Sequence, residues 1–145
     1  MITVSQFLGS WRLVSSEFKL SDGNILYPLG PRVVGRLHYD VDGGMSAQLY
    51  RAGRTAFSQG DQATATDKEI REAYTSSVCY FGRYQLDVEK QTITHFVEGS
   101  LFPNWIDGEQ LRYFRFEDGK LHLSTPPILM NNVMQTGELV WERCS

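Results

Sequence analysis

Short β-forming runs recur along the whole chain, each cut off by turn chemistry that reverses it. They occupy residues 10–20, 33–40, 44–52, 76–88, 92–102, 109–117, 121–126 and 138–144, eight runs in all. Ser21-Asp22-Gly23-Asn24, Asp42-Gly43, Glu89-Lys90-Gln91 and Asp118-Gly119 separate successive runs; all are polar, three carry glycine, and such breaks are turn signals. Eight antiparallel strands joined this way leave two unpaired edges, and closing the sheet on itself removes both. The predicted fold is therefore all-β, a single antiparallel eight-stranded barrel, with a two-sheet sandwich as the competing architecture. A barrel of that size is either filled by its own side chains or wide enough to hold one small ligand. At 145 residues the chain makes one domain, residues 1–145.

One segment departs from this rhythm. In "TDKEIREAYTSS" (66–77), Thr66 and Glu69 have capping-box spacing, and Ile70, Ala73 and Tyr74 form an apolar stripe at helical period. This predicts one short helix between the third and fourth strands. The preceding "AGRTAFSQGDQATA" has no period and reads as a mobile loop.

Charge and motif content narrow the function. Ten Arg and four Lys are scattered among seventeen acids, for a net charge of −3, so no nucleic-acid surface is expected. No apolar run approaches the roughly 18 residues of a membrane span. No export signal is visible and the two cysteines lack metal spacing, which places the protein in the cytoplasm with Cys79 and Cys144 as free thiols. His38, His95 and His122 show no HxH or HExxH spacing, and neither a phosphate loop nor GxSxG occurs. Neither a metal nor another cofactor is expected.

Alternation along each strand nominates the inner face. Leu37 and Tyr39 share one face of the second run, and Met45, Ala47 and Leu49 one face of the third. On the fourth, the Tyr80, Gly82, Tyr84, Leu86 set competes with Cys79, Phe81, Arg83, Gln85; the first is the more apolar and is placed inside. Gly82 then marks a bend or a close approach. His95 lies between Ile93 and Val97 and is placed inside, either as a proton-transferring imidazole or as a packed, hydrogen-bonded one. Arg112 shares a face with Phe114 and Phe116, opposite Leu111, Tyr113 and Arg115; if it enters the barrel it needs a partner, either Glu98 or a ligand oxygen, and otherwise it snorkels to water. The apolar stretches "SLFPNWIDG" (100–108) and "PPILMNNVM" (126–134) are too rich in large side chains for ordinary turns. Phe102 and Trp105 are placed at the rim of a pocket. The second stretch reads as a connection too long for a tight hairpin, and it offers a surface for a homodimer.

Gly9-Ser10-Trp11 in the first strand resembles the Gly-x-Trp signature of the lipocalin, or calycin, superfamily, and Arg143 in the last strand matches its usual arginine companion. "FLGSWRLVS", "YPLGP", "GRLHYD", "GGMSAQLYR", "YFGRYQLD", "PNW", "LRYF", "LHLSTPP" and "LVWER" together are similar to the lipocalin-like domain family of short bacterial and fungal proteins, over nearly the whole chain. The absence of a signal peptide and a disulfide frame departs from secreted lipocalins. The resemblance implies structural roles for Gly9, Trp11 and Arg143, with the guanidinium capping the indole at the closed end. It also implies a small, mostly apolar organic ligand inside the barrel. The expected ligand-binding set is Leu37, Tyr39, Met45, Leu49, Tyr80, Tyr84, His95, Phe102, Trp105, Arg112 and Phe114. Related barrels act in natural-product pathways, so the alternative is a cofactor-independent isomerase or cyclase of a polyketide-like or other secondary metabolite. Its catalytic residues would be His95, Arg112 and Tyr39.

Overall fold

The structure is a computed structural model and describes residues 1–144. Its elements are β1 (Gly9–Lys19), β2 (Ile25–Leu26), β3 (Val33–Tyr39), β4 (Gly44–Arg51), α1 (Asp67–Thr75), β5 (Ser77–Asp87), β6 (Thr92–Ser100), β7 (Glu109–Glu117), β8 (Lys120–Ser124), β9 (Ile128–Met130) and β10 (Val133–Arg143). Eight of these strands, β1-β3-β4-β5-β6-β7-β8-β10, form a closed antiparallel ring. The ring is shut by β1 against β10, in register from Trp11 opposite Arg143 to Lys19 opposite Thr136.

The two remaining strands are short. Ile25–Leu26 pairs with Phe18 and Lys19 as β2, a two-residue strand too brief to stand out as a β-run. The helix therefore follows the fourth strand rather than lying between the third and fourth. Its capping box forms as spaced, with Glu69 N–H donating to Thr66 Oγ1 (3.2 Å) and Thr66 N–H to Glu69 Oε1 (3.0 Å). The connection before it, expected to be mobile, is tied down by Ser58 N–H to Glu69 Oε2 (2.6 Å) and Arg54 Nε–H to Ser76 Oγ (3.0 Å).

Residues 126–134 correct a second expectation. Ile128–Met130 folds back on Val133–Gln135 as a tight hairpin. Asn131 and Asn132 both take positive φ (51° and 62°), the requirement of a two-residue type I′ turn that asparagine tolerates. Ile128 and Met130 turn toward the barrel mouth, whereas Leu129, Val133 and Met134 stay exposed.

At the opposite end the barrel is plugged. Phe7 is fully buried and packs edge-on against Phe114 and Phe116 (ring centroids 5.0 and 5.1 Å apart). Trp11 Nε1–H donates to the Phe7 carbonyl at 2.8 Å, and the Arg143 guanidinium lies 4.2 Å from the Trp11 ring centroid. Arg143 also donates to the carbonyls of Leu8 (2.6 Å) and Gln6 (2.5 Å). It thus binds the last strand to the segment that carries the plug. Gly9 allows this: its φ is +105°, and a Cβ there would meet Arg143 Nη1 at 3.3 Å. Arg143→Met keeps the stem but loses the cation–π contact and both charged hydrogen bonds. It is expected to lower stability by about 1–3 kcal/mol in urea unfolding; an unchanged midpoint would remove the clamp from this account.

Val14 is an extra residue in β1, since Leu13 pairs with Trp141 while Ser15 pairs with Val140. This bulge moves the inward set from Trp11 and Leu13 to Ser16 and Phe18. No helix among the described residues is long and apolar enough to cross a membrane.

Candidate ligand-binding site

Above the plug the barrel holds a cavity of about 470 Å³. That lies within the range of roughly 300–1,000 Å³ typical of small-molecule sites. Its walls are apolar: Leu37 from β3, Ala47 and Leu49 from β4, Leu123 from β8, and Leu139 and Trp141 from β10. Its mouth is framed by Tyr74 at the end of α1, by Phe102 and Trp105 around the short helical turn Pro103–Trp105, and by Ile128 and Met130 of the β9 hairpin.

Polar residues such as Ser16, Arg51 and Thr125 also border the cavity, and three others form a connected cluster. Tyr80, His95 and Arg112 reach the cavity from β5, β6 and β7. His95 is only 1% exposed and both its ring nitrogens are engaged. Nε2 lies 2.7 Å from Tyr39 Oη and Nδ1 lies 2.7 Å from Tyr80 Oη. Burial, reinforced by the nearby Arg112 charge, pushes the His95 pKa down to about 3. Burial raises both phenols, Tyr39 well above its ordinary value, with the neighbouring Tyr80 adding to the Tyr39 shift. All three groups are therefore neutral at ordinary pH. Arg112 keeps its charge, is 9% exposed, and donates Nη1–H to the Leu111 carbonyl at 2.9 Å. Among the described residues no carboxylate forms an ion pair with it. Glu98, one of the two partners considered for it, is exposed: Phe81 pairs with Gly99 and Gly82 with Val97, so Glu98 is the extra residue of a bulge.

Of the predicted ligand-binding residues, Leu37, Leu49, Tyr80, His95, Phe102, Trp105 and Arg112 border the cavity. Tyr39, Met45, Tyr84 and Phe114 do not. Tyr39 sits behind His95, and Tyr84 packs on Tyr39 (ring centroids 4.8 Å apart) with its hydroxyl donating to the Asp40 carbonyl at 2.7 Å. Met45 is buried opposite Tyr39 and Gly82, and Phe114 lies against the Phe7 plug. All four are on or near the inner face, but the closed half of the barrel is solid. Sequence reasoning missed Trp141 and Leu123, whose shared strand faces with Arg143 and Leu121 were the available signal, and Tyr74, whose place in the apolar stripe of the helix was not connected to the cavity.

The fold and site define a closed β-barrel with an internal cavity carrying one polar end. The chain belongs to the lipocalin-like domain family, whose model matches residues 8–144. It is similar to the 4'-hydroxy-3'-methoxypropiophenone carrier protein of Aspergillus oryzae, 31% identical over 106 residues that cover 68% of this chain and 96% of that protein. Among solved structures, the REP1-NXSQ fatty acid transporter aligns over 97% of this chain and 98% of its own at 15% identity, with a TM-score of 0.42. At that distance the likeness says nothing about a ligand.

Proposed function

We propose that the protein is a carrier that holds one small, mostly apolar organic molecule inside the barrel. The observation that supports it is the largely apolar cavity of about 470 Å³ whose wall carries the buried cluster Tyr80, His95 and Arg112. Apolar walls give affinity by removing ligand surface from water, and a few placed polar groups fix orientation. The relative named as a carrier of a hydroxylated, methoxylated aryl ketone supports aromatic ketones as the ligand class to try first.

The second reading, an isomerase or cyclase of a secondary metabolite, is favoured by Tyr80 and Arg112 bordering the cavity as interacting neighbours, since a phenol and a guanidinium would together stabilise an enolate. It lacks a base. His95 has a pKa near 3 and both nitrogens committed to tyrosines, and Tyr39 does not reach the cavity.

Native mass spectrometry of the purified protein, followed by calorimetric titration with 4'-hydroxy-3'-methoxypropiophenone, tests the proposal. One molecule bound and recovered chemically unchanged is expected. Recovery of a converted product would replace the carrier with the enzyme. A protein that neither retains a small molecule nor takes up the ketone would overturn both.

A further inference from the structure

We infer that Tyr39, His95 and Tyr80 form a one-way hydrogen-bond chain that leaves the Tyr80 hydroxyl proton facing the cavity, so that the site prefers a ligand whose inner end is a carbonyl over the matching alcohol. This rests on the reading of the barrel as a holder of small molecules.

The direction follows from counting donors and acceptors. A neutral imidazole has one N–H and one bare nitrogen, and here each faces a tyrosine hydroxyl. Tyr39 is 1% exposed, and among the described residues His95 Nε2 is the sole hydrogen-bond partner of its hydroxyl. Were Nε2 protonated, the Tyr39 proton would be buried with no acceptor, a substantial penalty. Tyr39 therefore donates to Nε2, which puts the imidazole proton on Nδ1. Nδ1–H then donates to the Tyr80 oxygen, and the Tyr80 proton is left for the cavity that Tyr80 borders. Arg112 offers only N–H donors beside it.

The inner end of the site is thus a pair of donors whose nearest phenol oxygen is already taken by His95. A carbonyl oxygen accepts from both and brings no proton of its own. An alcohol oxygen can accept equally well, but its hydroxyl proton finds no free acceptor on Tyr80, His95 or Arg112, which is worth about tenfold in affinity. Tyr39 never touches the ligand. It is a positioning residue that acts through His95 on Tyr80.

Two measurements test this. Long-range proton–nitrogen correlation spectra of the free protein are expected to show His95 as the Nδ1–H tautomer. Tyr39→Phe removes the donor at Nε2, leaves that nitrogen unpaired in either tautomer, and is expected to populate both. The second measurement is calorimetric binding of three probes with the same skeleton: propiophenone, its benzylic alcohol and propylbenzene. The wild type is expected to favour the ketone over the alcohol by about tenfold or more. Tyr39→Phe is expected to bring that ratio close to one while propylbenzene affinity stays unchanged, which a merely structural loss would not do. An Nε2–H tautomer in the wild type overturns the chain, as does equal binding of ketone and alcohol alongside measurable propylbenzene binding. A Tyr39→Phe variant that keeps the full ketone preference, or that weakens all three probes alike, overturns the positioning role. If no probe binds the wild type, the small-molecule reading falls, while the tautomer spectrum still decides the chain.

Discussion

His95→Gln is expected to make the protein more resistant to acid, with a gain over wild type that grows to about 3 kcal/mol by about pH 4. The sign follows from where the proton goes. In the unfolded chain an imidazole titrates near its ordinary value of about 6.5. In the barrel His95 is buried between two phenols and beside Arg112, and its pKa falls to about 3. Between those values the unfolded state takes up a proton that the folded state refuses. Stability is undiminished above about pH 6.5 and drains away as pH falls toward about 3, by up to about 1.4 kcal/mol per pH unit. A glutamine amide can still accept from Tyr39 and donate to Tyr80, and it has no proton to gain. Carboxylates titrate in both proteins, so the difference between the two isolates His95. Urea unfolding of each at about pH 7 and about pH 4 measures it. Equal losses on acidification would mean that the folded state accommodates the imidazolium and that His95 is not held neutral between the two phenols.

The barrel was legible because strand alternation and hairpin turns are local signals, and so was the helix, through Thr66 and Glu69. Depth along the barrel was not. Alternation places Tyr39, Met45 and Phe114 inward alongside Leu37, Leu49 and Arg112, yet says nothing about which end is solid. That is decided by Phe7, which the short helical turn Val4–Gln6 and the Arg143 clamp swing across the bottom. The partners of His95 were hidden for a related reason. Tyr39 and Tyr80 lie 56 and 15 residues away in sequence: Tyr80 reaches His95 diagonally from the neighbouring β5, past the bulge, and Tyr39 comes from β3, two strands further on. Glu98 as a partner for Arg112 fails on alternation itself: with Ile93, His95 and Val97 facing in, a period of two turns Glu98 to solvent, and that is where it lies.

The largest stability effect belongs to the bulge between β5 and β6. Gly82→Ala is expected to cost roughly 3–5 kcal/mol or to prevent folding, whereas Gly99→Ala, a few ångströms away across the β5–β6 pairing, is expected to cost less than about 1.5 kcal/mol. Both positions are crowded, but by different atoms. A Cβ at Gly82 would collide with the Phe96 carbonyl oxygen, with the carbonyl carbon at 2.9 Å and the Glu98 nitrogen at 3.0 Å, all of them backbone. Nothing there can move without opening the ladder. A Cβ at Gly99 meets only the ring edge of Phe81, whose side chain is 53% exposed and free to swing outward. Gly82 also lies between Tyr80 and Tyr84 on the strand that brings Tyr80 Oη to 2.7 Å from His95 Nδ1. The glycine thus lets β5 and β6 approach closely beside that hydrogen bond. Urea midpoints of the two variants compare them directly, and recovery of Gly82→Ala only as insoluble protein counts as the upper limit, provided Gly99→Ala folds. Similar losses at the two sites would show that β6 can retreat from β5. The rigid approach of these strands would then not be what holds Tyr80 against His95.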